Sequence, residues 1–308
     1  MAIETTVRPG PRGQSIIARD DKIMSGSMTP RYPFVMERGE GAHVWDVDGN
    51  EYIDFAAGIA VNSTGHSHPE VLKAIIEQAQ KFVHIAGTDY YYEVQIQLAE
   101  RLASLAPFSE GARVFLTNSG AEAVEGAIKV ARWYTDRPHI IAFYGAFHGR
   151  TLGALSLTAS KVVQRDGFFP LIPGVLHVPY NNPYRCMHGR EQSACEAHCI
   201  CASYLENVVF KRLFPGDSVA AIILEPIQGE GGYVVPDPRF VQELRDICNK
   251  YGIILIADEV QSGMGRTGKW WAIEHAGVEP DIICSAKGIA SGMPLGAIIA
   301  REHVMSWP

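Results

Sequence analysis

Short apolar runs alternate with amphipathic segments along most of this chain. An apolar run of about four to eight residues is typical of a buried strand, whereas apolar residues at three- and four-residue spacing are typical of a helix. Their alternation favours an α/β fold, in which helices flank a mostly parallel sheet. The predicted strands are 113–117, 140–144, 219–224, 253–257, 281–285 and 295–300, and the predicted helices are 69–84, 93–105, 121–134, 202–212 and 238–250.

The first part of the chain follows a different pattern. Residues 44–47 and 52–55 flank Asp48 and Gly49, a pair that is typical of the two-residue turn of a β-hairpin. The sequence therefore predicts a small hairpin in an N-terminal arm. We interpret residues 1–65 as this arm and residues 66–308 as a large domain.

Composition limits the partners of the protein. The chain has 308 residues, and its 34 acidic and 27 basic residues give a net charge of −7. This balance provides no positive field for nucleic acid or for an anionic membrane, so a small-molecule partner is expected. The N-terminus lacks the features of a signal peptide, and no apolar run approaches the length of a membrane span. These observations predict a cytoplasmic protein.

Two residues stand at strand ends, where α/β enzymes bind ligands. Asp258 follows the apolar run 253–257, and Lys287 follows the next predicted strand. Ligands bind beyond the carboxyl ends of strands in open α/β sheets, so both side chains are expected in one site. Such a lysine can hold an aldehyde cofactor as a Schiff base, and such an acid can keep a pyridine nitrogen protonated. The pair predicts pyridoxal 5′-phosphate, with a surface lysine and a turn-capping aspartate as the alternatives.

A stretch of small residues joins strand 113–117 to the next helix. Ser119, Gly120 and Ala121 lie where this helix is predicted to begin. The unpaired amide groups and the positive dipole end of a helix N-terminus attract a phosphate, so we expect these residues to bind the phosphate of the cofactor. An N-cap role explains Ser119 equally well, and the two roles are compatible.

Other strand ends supply further candidates. Phe147 is expected to stack on the cofactor ring, with core packing as the alternative, and His148 beside it is assigned to the cofactor in a role that the sequence leaves open. Gln261 is a candidate partner for the ring hydroxyl, although a polar turn residue would look the same. Glu225 and Glu230 are expected to position a substrate amine or to neutralise an arginine near it, with a charged turn as the alternative.

A polar insertion carries most of the cysteines. Four cysteines and two histidines crowd it, namely Cys186, Cys195, Cys199, Cys201, His188 and His198. Their spacing fits none of the usual zinc templates, and a structural metal or a local disulfide is the alternative to free thiols. Because free thiols are the default in a cytoplasmic chain, we predict no metal site.

Together these motifs resemble those of the class III pyridoxal-phosphate-dependent aminotransferases. The resemblance covers nearly the whole chain in the right order, and it implies fold type I, with a small domain built from both chain ends. It also implies a homodimer or a dimer of dimers whose active sites lie between subunits. The matching stretches are 58–62, 65–69, 118–123, 146–151, 225–232, 258–261 and 285–288.

The resemblance implies a role for each matching residue. Lys287 would be the Schiff-base lysine and proton carrier, and Asp258 would contact the pyridine nitrogen. Glu230 matches a gating glutamate that pairs with an arginine nearer the C-terminus. That arginine, and a threonine that reaches the neighbouring subunit's phosphate, would follow Pro308, so we expect the chain to be truncated. The remaining assignments are Gly120 and Ala121 to the phosphate, Phe147 to the ring face, Gln261 to the ring hydroxyl, and Glu225, Ile59 and Val61 to the substrate.

The substrate is less sharply indicated than the reaction. Stretches 58–69 and 90–93 look most like those of 4-aminobutyrate aminotransferases and of relatives that act on ω-amines. The resemblance therefore implies amino transfer from an ω-amino acid or amine to a 2-oxo acid, either 2-oxoglutarate or pyruvate. An acetylornithine or ornithine aminotransferase and an amino-acid racemase or epimerase are the alternatives. A non-catalytic binding protein on this fold is a further one.

Overall fold

A computed structural model of the protein describes residues 9–27, 32–189 and 200–306. The chain forms two compact units, Met1–Tyr90 and Tyr91–Pro308. The functional division into residues 1–65 and 66–308 stays a prediction. Within the described residues, none of the helices combines the length and the apolar character that crossing a bilayer requires.

The first unit contains a three-stranded antiparallel sheet. Its strands lie in the order β1 (Met36–Glu40), β2 (His43–Asp46) and β3 (Glu51–Ile53). The predicted hairpin is confirmed as β2 and β3, in which Val44 lies opposite Tyr52. The prediction missed β1, because its sequence Met-Glu-Arg-Gly-Glu has neither apolar alternation nor an apolar run.

Two longer helices belong to the same unit. Helix α1 (Pro11–Ile23) was not predicted, and the carboxylate of Asp48 accepts hydrogen bonds from the main-chain N–H groups of Arg12 and Gly13 in its first turn. Helix α2 (Pro69–Lys81) begins at the predicted proline and ends at Lys81, where the predicted helix continued to residue 84.

The second unit is built on a seven-stranded sheet. The strands lie in the order β4 (Ala112–Thr117), β10 (Gly296–Arg301), β9 (Ile282–Ser285), β8 (Ile254–Asp258), β7 (Val219–Leu224), β5 (His139–Phe143) and β6 (Val175–Val178). β10 runs antiparallel to both of its neighbours, and the other neighbouring strands pair in parallel, which confirms the predicted mostly parallel sheet. The short edge strand β6 was not predicted.

Helices cover both faces of this sheet, as predicted. Their apolar sides form two cores, one containing Val124 and Ile128 and the other containing Phe240 and Leu244. The longer helices are α3 (Glu93–Leu105), α4 (Gly120–Thr135), α5 (Leu152–Leu157) and α7 (Pro238–Tyr251).

One predicted helix contains an irregular turn, and one predicted strand has a different boundary. The predicted helix over 202–212 is helical over 203–212, but Leu205–Val209 within it form a π-helical turn before the short helix α6 (Phe210–Arg212). Strand β8 extends through Asp258 rather than ending before it, since Asp258 still pairs with Cys284 of β9. The aspartate is therefore held by the sheet itself.

Candidate functional site

The candidate site lies at the carboxyl ends of neighbouring parallel strands. Asp258 closes β8, and Lys287 opens a 3₁₀ turn two residues after β9. Glu225 follows β7 directly, and the loop that carries Phe147 and His148 follows β5. Because these strands are parallel, their carboxyl ends lie at one edge, and the predicted residues are brought together there.

Lys287 is a partly buried amine in a strained backbone position. Its φ of 51° lies in the left-handed region, which is uncommon for a residue with a side chain. Its Nζ donates to Oε1 of Gln261 at 2.7 Å. Burial lowers the pKa of Lys287, although the nearby carboxylates of Asp258, Glu225 and Glu230 act in the opposite direction. The lowered pKa favours the neutral amine, which is the form that attacks a carbonyl.

Asp258 forms a buried pair with His148, whose assignment to the cofactor stays a prediction. Nδ1 of His148 lies 2.6 Å from Oδ2 of Asp258, and the two side chains are 0% and 4% exposed. An ionised carboxylate can only accept a hydrogen bond, so Nδ1 of His148 donates. The other carboxylate oxygen accepts from the N–H of Val260 at 3.1 Å. His148 thus fixes the orientation of the aspartate.

Glu225 joins two loops of the site. Its carboxylate accepts from the main-chain N–H of Phe147 at 2.8 Å and from that of Gly229 at 2.9 Å. Burial raises the pKa of Glu225 to about 7, and the charge of Asp258 adds to this effect. The loops that carry Phe147 and Glu230 are therefore tied to one side chain. A contact between Glu225 and the substrate stays a prediction.

The predicted phosphate-binding stretch opens α4. Oγ of Ser119 accepts from the N–H of Glu122 at 3.2 Å, so Ser119 is the N-cap of this helix. A Cβ added to Gly120 would lie 2.8 Å from Cγ1 of Val260 and 3.5 Å from Cβ of Ala286. Val260 lies two positions after Asp258, and Ala286 directly precedes Lys287. The N-terminus of α4 therefore lies beside both functional residues.

These features fit pyridoxal phosphate. The start of α4 offers amide groups for a phosphate, and Lys287 offers a partly desolvated amine. His148 keeps its buried Nε2 without a hydrogen-bond partner among the described residues, as expected beside a site built to enclose a further group. The residues present can therefore hold the phosphate, the carbonyl carbon and the ring nitrogen of the cofactor.

Glu259 is a buried residue of this region that the sequence analysis missed. It is 0% exposed, and it accepts from the hydroxyl of Ser262 at 2.5 Å and from the N–H of Ile273 at 2.8 Å. These bonds anchor the turn that carries Gln261. The sequence could have indicated this residue, because side chains alternate between the two faces of a strand and Glu259 therefore lies on the face opposite Asp258. A carboxylate that is buried on that face needs hydrogen-bond partners.

We predict that Glu259 makes stability depend on pH. Burial raises its pKa from 4.5 to about 7, so the native state keeps a proton that the unfolded state releases. The free energy of unfolding should therefore fall as pH rises through this window, by on the order of 3 kcal/mol. Glu259→Gln is nearly isosteric and should remove this contribution in urea denaturation at pH 5 and pH 8, whereas the similar contribution of Glu225, whose pKa is also raised to about 7, should remain. Glu77→Gln on exposed α2 is the control, and an unchanged pH dependence in Glu259→Gln would refute the assignment.

Ile59 and Val61 belong to the first unit. They lie in and beside the turn Ala57–Ala60, where φ is positive at Ala57, Gly58, Ile59 and Ala60. Ile59 is exposed and Val61 is half-buried. Their contact with a substrate stays a prediction.

The cysteine-rich insertion is only partly described. Cys195, Cys199 and His198 lie outside the described residues, whereas Cys201 is buried beside the main-chain oxygen of Tyr180. In residues 9–27, 32–189 and 200–306, no group of three His, Cys, Asp or Glu side chains is arranged to hold a metal ion.

Comparison with known proteins gives consistent matches. The family model for aminotransferase class-III matches residues 24–308. The acetylornithine aminotransferase of Methanopyrus kandleri is 47% identical over 89% of this chain, and the alanine/serine racemase of Pyrococcus horikoshii is 44% identical over 96% of it. The 4-aminobutyrate aminotransferase of Mycobacterium tuberculosis is 41% identical over 97% of this chain and 67% of that enzyme. The chain spans 63% of the length of the first two relatives.

Solved structures agree with these matches. An (S)-enantioselective omega-transaminase from Thermomicrobium roseum has a TM-score of 0.86 and 34% identity, covering 94% of this chain and 67% of that one. Taurine:2-oxoglutarate aminotransferase from Bifidobacterium kashiwanohense, solved in complex with PLP and glutamate, has a TM-score of 0.84 and 32% identity. That match covers 95% of this chain and 66% of the taurine enzyme.

Proposed function

This chain belongs to the class-III aminotransferase family, and from that membership we propose that it moves an amino group from an ω-amino acid or amine to a 2-oxo acid. The proposed donor is similar to 4-aminobutyrate, and the proposed acceptor is 2-oxoglutarate or pyruvate. The fold is that of PLP-dependent aminotransferases, and the cofactor is pyridoxal 5′-phosphate. The observation that carries the proposal is the placement of Lys287 and the Asp258–His148 pair at one sheet edge.

The chain's own residues would divide the chemistry between them. When bound, pyridoxal phosphate supplies a carbonyl that condenses with amines and a pyridine ring that accepts electrons as a carbon loses its proton. Lys287 would provide the amine that holds the cofactor, and the same Nζ would accept and return the substrate proton. Its lowered pKa supports both roles, because each requires the uncharged amine.

Asp258 and His148 would act on the opposite end of the ring. A buried carboxylate favours a proton on a nearby pyridine nitrogen, because the charge that forms there gains a partner. The hydrogen bond from His148 holds Asp258 in one orientation. Phe147 and Gln261 are proposed for the ring face and the ring hydroxyl, and Ser119, Gly120 and Ala121 for the phosphate.

The choice of amino donor requires a direct comparison. Relatives named for acetylornithine, for 4-aminobutyrate and for racemisation of alanine and serine are 41–47% identical to this chain, so identity alone does not select among them. The proposed homodimer and the cytoplasmic location rest likewise on the family resemblance and on composition.

A donor panel tests the proposed reaction. The purified protein with pyridoxal phosphate is given 4-aminobutyrate, N-acetylornithine or ornithine with 2-oxoglutarate, and glutamate formation is followed. We expect kcat/KM for 4-aminobutyrate to exceed that for N-acetylornithine by about tenfold, the discrimination that a single well-placed contact provides. A higher kcat/KM for N-acetylornithine than for 4-aminobutyrate would contradict the proposed donor and would indicate N-acetylornithine instead.

The racemase alternative has its own test, which the 44% identity to the alanine/serine racemase motivates. A single enantiomer of alanine is incubated without any 2-oxo acid. An aminotransferase stops after one turnover, because the amino group has no acceptor. Continued formation of the other enantiomer would favour the racemase.

A further inference from the structure

The loop after β5, which carries His148, lies against the residues that follow α5. The main-chain N–H of Ala159 donates to the carbonyl oxygen of Ala146 at 2.8 Å, and the N–H of Gly145 donates to the carbonyl oxygen of Ala159 at 3.1 Å. These two bonds hold the first half of the loop, but they do not involve His148. The second half of the loop is held in another way.

Thr158, directly after α5, continues this ladder with its side chain. Its Oγ1 accepts from the main-chain N–H of His148 at 3.0 Å. The hydroxyl proton has two acceptors within reach, the carbonyl oxygens of Gly149 at 3.1 Å and of Ala154 at 3.2 Å. Thr158 is 0% exposed, so the hydroxyl serves as the buried partner that the N–H of His148 requires.

Gly149 leaves the loop little room to move. Its φ of 136° lies in a region that favours glycine. A Cβ added there would lie 2.9 Å from Cβ of Ala121 and 2.9 Å from Cβ of Ala154. The loop is therefore wedged between the first turn of α4 and the helix α5, and Thr158 fixes its height in that space.

The imidazole of His148 has one hydrogen-bond partner among the described residues. Nδ1 lies 2.6 Å from Oδ2 of Asp258, whereas Nε2 is buried without a partner. A ring that is held at one nitrogen can tilt about that bond, and a hydrogen bond weakens steeply as its angle departs from linear. The position of the main chain of His148 therefore decides how well Nδ1 meets the carboxylate, and Thr158 holds that main chain.

We propose that Thr158 is a positioning residue for the reaction and that it acts through His148 on Asp258. Its hydroxyl places the main chain of His148 so that Nδ1 keeps the carboxylate of Asp258 directed at the ring nitrogen of the cofactor. The inference rests on the proposed function, because it assumes that Asp258 contacts that nitrogen. Thr158 touches neither cofactor nor substrate in this role, so its loss should slow the reaction without abolishing it.

Thr158→Val keeps the shape of the side chain and removes the hydroxyl. We expect kcat to fall about tenfold and KM to change less than about twofold, because the lost hydrogen bond supports a cofactor contact and no substrate contact. Thr158→Ser restores the hydroxyl and should keep kcat within about threefold of the parent value. Steady-state kinetics with saturating pyridoxal phosphate measures both quantities.

A double-variant cycle separates action through Asp258 from general damage. Asp258→Asn already removes the charge that Thr158 is proposed to position. Thr158→Val should therefore lower kcat by less than about twofold in that background. Losses of about tenfold in both backgrounds would show that Thr158 acts independently of Asp258, and they would overturn the proposal.

NMR of the protein without cofactor provides a readout that requires no turnover. In the parent protein labelled with ¹⁵N-histidine, the Nδ1–H proton of His148 should resonate downfield and exchange slowly with water, because it is buried in a hydrogen bond of 2.6 Å. His148→Gln identifies the signal. In Thr158→Val this signal should move upfield and exchange about tenfold faster, whereas Thr158→Ser should keep it.

Thr135→Val is the matched control. Oγ1 of Thr135 also donates to a main-chain oxygen, that of Ala131 at 2.8 Å, and it lies at the last residue of α4. This variant should leave kcat and the His148 signal unchanged. If Thr158→Val does not fold, Thr158→Ala takes its place, because it leaves space for a water beside the N–H of His148.

The two readouts distinguish this inference from the proposed function. If the parent protein transfers no amino groups but the His148 signal shifts in Thr158→Val, the proposed function fails and the positioning role of Thr158 stands. If the parent protein is active and Thr158→Val keeps the parental signal or the parental kcat, the role of Thr158 is overturned.

Discussion

Lys287→Ala is expected to lower kcat/KM for amino transfer by about a thousandfold or more, the range found when a residue that moves protons is removed. The variant loses the only group proposed to link the cofactor covalently and to carry the substrate proton. It should keep its fold, because Lys287 lies in a short turn and, among the described residues, its side chain donates one hydrogen bond, to Gln261. Steady-state kinetics and the visible absorption of the bound cofactor measure the effect.

The control for this prediction is Lys211→Ala. Lys211 is exposed on α6, where it contacts Asn207, so its loss should leave both kinetics and absorption unchanged. Activity of Lys287→Ala within about tenfold of the parent protein would contradict a covalent and proton-carrying role.

Asp258→Asn is expected to lower kcat by about 100- to 1,000-fold, as when one preorganised electrostatic partner is lost from an active site. The amide oxygen can still accept the hydrogen bond from Nδ1 of His148, whereas the NH2 group that replaces the other carboxylate oxygen cannot accept from the N–H of Val260. The variant therefore loses that one hydrogen bond together with the negative charge that favours a protonated ring nitrogen. The affinity for pyridoxal phosphate, measured by fluorescence titration, should fall as well.

Asp217→Asn is the control for this second prediction. It makes the same chemical change at an exposed position in the turn Gly216–Ser218, and it should leave kcat and cofactor affinity unaltered. Parental kcat in Asp258→Asn would show that the charge of this aspartate does not assist the reaction.

Much of the sheet and of the central site was predictable from sequence. Buried parallel strands are continuous apolar runs, so β7 was predicted with its observed bounds, and the carboxyl ends of such strands necessarily share an edge. Asp258 and Lys287 could therefore be assigned to one region before any contact was known. Small residues after β4 likewise indicated the start of α4.

Other features depend on contacts between distant parts of the chain. Asp258 and His148 are separated by 110 positions, and Lys161 and Glu230 by 69, so no local pattern indicates that they pair. The edge strand β6 is half-buried and short, which leaves little apolar signal. The π-helical turn Leu205–Val209 has the apolar spacing of a helix, and its departure from α-helical hydrogen bonding is not encoded in that spacing.

The covalent link between Lys287 and the cofactor is the central claim of this account, and its position can be measured directly. The protein saturated with pyridoxal phosphate is reduced with borohydride, digested and mapped by peptide mass spectrometry. We expect the mass of the reduced cofactor on the peptide that contains Lys287, and no such mass in Lys287→Ala. Labelling of another lysine in the parent protein, or equal labelling in the variant, would contradict the assignment of Lys287.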